Sequence, residues 1–155
     1  MAVRYRHRQW GLVAIATCLG SGALGAVLLW NAGHGIVAAG LLATELVIAL
    51  LFASLTVEIG DGELCWFFGP GLWRYRVPLD AITEIAVVRN KWWHGLGVGI
   101  VSGVRFYTVS GLDAVELRLV HGHVRRIGTD DPHGLAAAIR GARSAQRRAA
   151  QGASR

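Results

Sequence analysis

The sequence predicts a membrane-embedded α-helical hairpin followed by a β-rich domain that ends in a helix. No charged residue occurs in the 21 positions from Trp10 to Trp30, and Glu45 is the one charged residue in the 20 positions from Ile36 to Leu55. After Leu55, short apolar segments alternate with glycine, proline and aspartate, as strands and turns do. Because 53% of the 155 residues are hydrophobic and 17% are charged, the composition favours a membrane protein over an ordinary soluble domain.

The N-terminal segment, residues 1–9, is basic, with Arg4, Arg6 and Arg8 shortly before the first apolar run. We predict that it is a solvated cytoplasmic end whose arginines contact anionic lipid headgroups. The formal net charge of the chain is +6, but residues 57–131 carry eight basic and nine acidic side chains. The positive charge therefore lies at the two ends of the chain, and we expect no binding to nucleic acid.

The two apolar runs predict a transmembrane hairpin over residues 10–55, with helices at 10–30 and 36–55. At 1.5 Å per residue, each run spans roughly the 30 Å hydrocarbon core of a bilayer. The connection between them contains no lysine or arginine, so the positive-inside rule places it outside and both termini in the cytoplasm. We therefore expect a multi-pass membrane protein. A cleaved secretory signal is the alternative, although the first run is long for one and no clean cleavage site follows it.

Glu45 lies in the middle of the second apolar run, where an ionised carboxylate costs at least ~2.5 kcal/mol. We therefore expect its carboxyl group to be neutral or hydrogen-bonded. In a hairpin folded about Gly33, Glu45 lies opposite Ser21, with Thr17 and Cys18 one helical turn away. We interpret this as a polar contact that holds the two helices together. A contact with another membrane subunit and a proton or ion pathway are the alternatives.

The part of the chain after the hairpin predicts a cytoplasmic domain over residues 56–142 and a basic, disordered tail over 143–155. Asp61-Gly62 is a two-residue hairpin signal. Asp131 and Pro132 are suited to the cap and the first turn of a C-terminal helix. Seven strands are expected: Thr56–Gly60, Glu63–Phe68, Trp73–Val77, Ile82–Arg89, Val101–Val109, Ala114–Val120 and His123–Gly128.

Seven strands followed by one helix is the element order of a pleckstrin-homology (PH) domain. Four segments carry a further resemblance to a known family: FFGPGLWRYRVPLD (67–80), NKWWHGLGVG (90–99), YTVSGLDAVEL (107–117) and RIGTDDPHGLAAAI (126–139). With them, the chain resembles small bacterial membrane proteins that carry a two-helix hairpin and a bacterial PH-like domain. The resemblance implies a seven-stranded β-sandwich or barrel with a C-terminal helix in a protein of the bacterial inner membrane, and it implies no particular activity.

An aromatic loop is the most informative surface candidate, and it consists of Lys91, Trp92, Trp93 and His94. One tryptophan can pack into the core. Alternatively, both can lie at the headgroup level of the membrane or form the centre of a partner interface. The domain follows Leu55 with almost no linker, so the loop is expected close to the bilayer.

The residues that could carry chemistry form no recognisable constellation. The glycine-rich GLGVGIVSG lacks the spacing and the following helix of a nucleotide-binding loop. The histidines and cysteines show no metal-type spacing, and no catalytic Ser, His and Asp arrangement is visible. The carboxylates around the first hairpin, Glu58, Asp61 and Glu63, disfavour the usual phosphoinositide site of PH domains. We therefore expect no catalytic residue, cofactor or metal.

The sequence thus favours a non-enzymatic, membrane-anchored PH-like protein that makes protein contacts as an accessory or assembly subunit of a membrane complex, or with itself. The first alternative is a lipid-sensing module that uses the basic ends with Trp92 and Trp93. The weaker alternative is proton or ion handling through Glu45.

Overall fold

The structure, a computed structural model, describes residues 3–91 and 97–153 and has an α+β architecture. Its helices are α1 (Leu12–Asn31), α2 (Gly35–Leu51) and α3 (Pro132–Ala153), with a short 3₁₀ turn at Leu79–Ala81. The strands are β1 (Val3–Trp10), β2 (Ser54–Gly60), β3 (Glu63–Phe68), β4 (Arg74–Pro78), β5 (Ile82–Arg89), β6 (Gly97–Val101), β7 (Val104–Thr108), β8 (Asp113–Leu119) and β9 (Val124–Gly128).

The N-terminal segment is part of the β-domain, which corrects the expectation of a solvated end at residues 1–9. Strand β1 pairs antiparallel with β2, so that Arg8 lies opposite Thr56. The period-two alternation of the segment explains this, because it turns Gln9 inward, where its amide donates a 2.9 Å hydrogen bond to the Ser110 carbonyl. The helical hairpin is therefore an insertion between two paired strands rather than a segment that precedes the domain.

The hairpin packs α1 against α2 through small residues, with Ala14, Gly22 and Ala26 buried on α1 and Ala38 and Ala49 buried on α2. Within the described chain, α1 is the one helix whose length and composition suit a membrane crossing. Helix α2 is apolar but has 17 residues. Both predicted spans were too long at the base of the hairpin, because the paired strands β1 and β2 include residues 10 and 54–55.

The strands form two sheets, one of four strands in the order β1-β2-β3-β4 and one of five in the order β5-β8-β9-β7-β6. Strand β7 runs parallel to β9, and the other pairs are antiparallel. The described residues thus contain nine strands where seven were expected. Besides β1, the extra strand is β6, which lies mostly before the predicted strand 101–109, in the glycine-rich segment, and pairs with β7 across a turn in which Ser102 and Gly103 have positive φ. The predicted strands Glu63–Phe68 and Ile82–Arg89 are confirmed.

Helix α3 packs on the domain through Leu135, Ala136 and Ile139, which join the core formed by both sheets. The predicted cap is confirmed, since the Asp131 carboxylate accepts a 2.9 Å hydrogen bond from the Gly134 amide. The expected disordered tail over 143–155 is wrong as far as residue 153, because the helix continues to that point. Alanine, arginine and glutamine, which have high helix propensity, dominate this stretch.

Candidate functional site: the base of the hairpin

The hairpin joins the four-stranded sheet without a linker, and hydrogen bonds fix the junction. The Gly11 amide donates to the Ala53 carbonyl at 2.8 Å, directly beyond the pair formed by Trp10 and Ser54. The turn after β3 touches the same place. Gly69 has a φ of +47°, and a Cβ there would lie 2.5 Å from the Leu51 carbonyl oxygen. The C-terminal end of α2 therefore rests on the β3–β4 turn.

The outer face of the four-stranded sheet carries an arginine at each edge. The register places Arg8, Thr56, Phe67 and Arg74 in one row across β1, β2, β3 and β4. We call this row the proximal row, because it lies next to the base of the hairpin.

The next row away from the hairpin, which we call the distal row, consists of Arg6, Glu58, Cys65 and Arg76. In this row Glu58 forms an ion pair with Arg6 at 3.3 Å. The proximal row contains no carboxylate, so the two rows differ in charge although both are bounded by arginines.

The two proximal arginines are held by aromatic rings. The Arg8 guanidinium carbon lies 4.3 Å from the centroid of the Trp10 ring, and its Nε donates to the Ser54 hydroxyl at 3.1 Å. The Arg74 guanidinium carbon lies 4.4 Å from the centroid of the Phe67 ring. Cation–π contacts of this kind orient a guanidinium at modest free energy. Both arginines are exposed, whereas Phe67, beneath Arg74, is buried.

The centre of the distal row is buried as well. Desolvation raises the pKa of the Cys65 thiol above its ordinary value of 9.0, and the guanidinium groups of Arg76 and Arg74 partly oppose that rise. The Cys65 thiol is therefore buried between strands that carry arginines, and both Arg76 and Arg74 lie within electrostatic reach of it.

The β3–β4 turn exposes two large apolar side chains beside this arginine-edged face. Leu72 is 68% exposed and Trp73 is 58% exposed, in the turn that contacts the end of α2. Large apolar side chains in a turn are unusual on a surface that faces water, and their position beside the hairpin makes them part of its base.

Glu45 faces α1, as expected, and its neighbours there are Gly22 and Cys18, of which only Cys18 was predicted. A Cβ at Gly22 would lie 2.8 Å from the Glu45 Cγ, and the Cys18 thiol lies within electrostatic reach of the Glu45 carboxyl group. The Ser21 and Thr17 hydroxyls instead donate to carbonyls of their own helix, at Thr17 and Val13. The interface follows one helical face at a spacing of four residues, and this face contains positions 18 and 22 rather than 17 and 21.

The predicted aromatic loop is described at its flanks. Trp92, Trp93 and His94 lie outside the described residues, as does the side chain of Arg4. Lys91 lies before these residues. Gly97 lies after them, and a Cβ added to Gly97 would be 3.6 Å from the Phe52 ring. The chain therefore returns from this loop to the base of the hairpin. This loop was predicted from the sequence, whereas Leu72, Trp73 and Arg74 were not. Two apolar residues followed by an arginine, after two glycines, is the sequence pattern that indicates an exposed turn of this kind.

Elsewhere in residues 3–91 and 97–153, no group of three His, Cys, Asp or Glu side chains is placed to hold a metal ion. An apolar groove of about 380 Å³ lies between the helices near the tip of the hairpin. It is lined by Ala23, Ala26, Val27, Trp30, Ala38, Ala39 and Leu42.

The fold and this site define an α+β protein with an N-terminal apolar helix, two β-sheets and a C-terminal helix, in which an apolar hairpin meets an arginine-edged sheet face. Comparison of the chain with models of protein families, with curated proteins and with solved structures finds no match.

Proposed function

We propose that this chain is a non-enzymatic, membrane-anchored protein with a PH-like domain, and that it serves as an accessory or assembly subunit of a complex in the bacterial inner membrane. In this proposal both helices of the hairpin cross the bilayer, and the β-domain and both termini lie in the cytoplasm. The observation that carries it is the apolar outer surface of a hairpin inserted, without a linker, between two paired strands.

The free energy of that surface favours a lipid environment. Fourteen large apolar side chains are exposed on the two helices: Leu12, Val13, Leu19, Leu24, Val27, Leu28, Trp30, Ile36, Val37, Leu42, Leu46, Val47, Ile48 and Leu50. Complete burial of a side chain of this kind is worth about 1.5–3 kcal/mol, and these side chains are on average little more than half exposed, so the set is worth roughly 10–25 kcal/mol. An apolar surface of this extent marks a membrane or partner contact.

The shorter helix is compatible with a second crossing. Helix α2 has 17 residues, which corresponds to about 25 Å, roughly 5 Å less than the hydrocarbon core. A mismatch of this size costs a fraction of a kcal/mol per Å through local thinning of the bilayer. Because α2 returns antiparallel along α1, two crossings place both connections to the sheet on the same side of the membrane.

The charges support a cytoplasmic domain. The arginines of β1 lie at the base of the hairpin, whereas the connection at residues 32–34 has no lysine or arginine. The positive-inside rule therefore favours a cytoplasmic base and an external tip.

The hairpin itself supports a role in protein contacts. The alanines that line the apolar groove would let another transmembrane helix approach closely. Glu45 has its contacts, Gly22 and Cys18, within the hairpin, and this favours a structural role over a proton pathway. The groove would accept a helix of another subunit or of a second copy.

Extraction and co-purification of the full chain test the proposal. We expect the chain to stay with membranes through an alkaline carbonate wash and to require detergent for release. In mild detergent it should elute with a protein partner or as an oligomer. Recovery in the aqueous fraction without detergent would contradict the membrane anchor, and a lone monomer that recovers nothing at low salt would contradict the subunit role.

A further inference from the structure

The proximal row has a charge that suits a particular ligand. Arg8 and Arg74 bound it on either side, and it contains no carboxylate. In the distal row, by contrast, a buried glutamate pairs with Arg6. The proximal row, with two arginines, therefore carries one more positive charge than the distal row, whose two arginines are offset by one glutamate.

We propose that the proximal row binds the phosphate groups of anionic phospholipids, with Arg8 and Arg74 as the ligands, while Leu72 and Trp73 insert among the lipids beside it. This inference rests on the proposed membrane insertion of the hairpin. Arginine suits the task because its planar group can donate two hydrogen bonds to one phosphate while it stacks on an aromatic ring.

The distance along β1 places the row at the correct depth. Strands rise about 3.4 Å per residue, so Arg8 lies about 7 Å from Trp10, at the start of the hairpin, and Arg6 about 14 Å. The headgroup layer on each side of a bilayer is about 5–8 Å thick. The Arg8 side chain therefore reaches the phosphates, and the distal row lies a further strand step of about 7 Å into the cytoplasm, close to one Debye length at physiological salt.

The β3–β4 turn adds an apolar contact at the same level. Leu72 and Trp73 are exposed in the turn that touches the last carbonyls of α2. Tryptophan is favoured at the boundary between hydrocarbon and headgroups. Together with Trp10, which is exposed at the end of β1, they flank the arginines with side chains suited to that boundary.

A lipid titration of the purified full chain tests the proposal. The chain is held in neutral detergent micelles, dioleoyl phosphatidylglycerol or dioleoyl phosphatidylcholine is added, and the rise in Tm gives the half-saturating lipid concentration. We expect the anionic lipid to act at a concentration at least about tenfold lower than the neutral lipid. An arginine near an anionic surface contributes a factor of about five, so Arg74→Gln should raise the half-saturating phosphatidylglycerol concentration about fivefold, and Arg8→Gln with Arg74→Gln about 25-fold.

Arg76→Gln is the matched control, because Arg76 is exposed on the same strand and the same face two residues farther from the hairpin. It should change the concentration by less than about twofold. The double variant Leu72→Ser with Trp73→Ser should raise the half-saturating concentrations of both lipids by the same factor. The Tm of each variant in lipid-free micelles serves as the folding control. If one arginine variant does not fold, the other carries the comparison.

Equal effects of Arg74→Gln and Arg76→Gln, or equal action of the two lipids, would overturn the inference while leaving the membrane anchor intact. The same holds if inorganic phosphate alone raises the Tm as phosphatidylglycerol does, since the ligand would then be a free anion. A chain that stays in solution without detergent would instead remove the proposed function on which the inference rests.

Discussion

The contact between Gly22 and Glu45 makes a direct prediction about the stability of the hairpin. A Cβ at position 22 would lie 2.8 Å from the Glu45 Cγ and 3.0 Å from its Cβ. These atoms lie near the backbone of α2, so the helices must separate or Glu45 must move. Overpacking of this kind costs about 1–3 kcal/mol. Gly20 lies on the same helix and has no atom within 4 Å of an added Cβ, so Gly20→Ala is the matched control.

Both alanine variants gain the same helix propensity, about 0.8–1.0 kcal/mol, so the difference between them isolates the packing. We expect Gly22→Ala to have a free energy of unfolding about 1–3 kcal/mol lower than that of Gly20→Ala. Reversible denaturation of the full chain in mild detergent, followed by far-UV circular dichroism, measures this difference. Equal stability of the two variants would refute the conclusion that α1 packs on α2 through position 22.

Three further predictions concern the β-domain. Deletion of residues 1–9 should destabilise the β-domain, because it removes strand β1 and the Arg6–Glu58 ion pair. Limited proteolysis measures this, and a deletion variant as resistant to protease as the full chain would contradict the pairing of β1 with β2. Glu116→Ala should lower the free energy of unfolding by about 1.5–3 kcal/mol, since its carboxylate accepts a 2.7 Å hydrogen bond from Arg126 while the side chain is only 11% exposed. Glu84→Ala should lower the free energy of unfolding by less than about 1 kcal/mol, because Glu84 and its partner Arg118 are 60% and 58% exposed. A denaturant titration in which Glu84→Ala and Glu116→Ala lose the same free energy would contradict this difference between an exposed and a buried ion pair. Finally, burial holds the pKa of the Cys65 thiol above 9.0 in the folded chain. As the pH rises, the thiol of the unfolded chain therefore loses its proton at a lower pH than that of the folded chain. The free energy of unfolding consequently falls as the pH rises above about 9. Cys65→Ser should flatten that decline between pH 9 and 10 in thermal melts, and an unchanged slope would exclude Cys65 as its cause.

The elements with strong local signals were predictable from the sequence. The strands Glu63–Phe68 and Ile82–Arg89 are bounded by turn residues, and Asp131 is placed to cap α3. The apolar runs located both helices of the hairpin to within a few residues, except where β2 replaces the last turn of the second run. Local chemistry alone determines these features.

Other features depend on partners distant in the chain. Strand β1 pairs with a strand some 50 residues later, and Arg6, Arg8 and their neighbours read locally as a basic end. The contact of Glu45 with Gly22 was missed by one position, because reflection about Gly33 gives the helical level but not the helical face. The proximal row could not be predicted, since it requires the register of four strands, and Arg74 shares no sequence motif with Arg8.

The location of the two ends of the hairpin relative to the bilayer tests the central claim most directly. In intact inner-membrane vesicles of known orientation, single cysteines introduced at His34 and at Gln151, in a chain with Cys18 and Cys65 replaced by alanine, are labelled with a membrane-impermeant maleimide. We expect labelling of position 34 from the periplasmic side and of position 151 from the cytoplasmic side. Labelling of both positions from the same side would contradict a hairpin that crosses the membrane and leaves the β-domain in the cytoplasm.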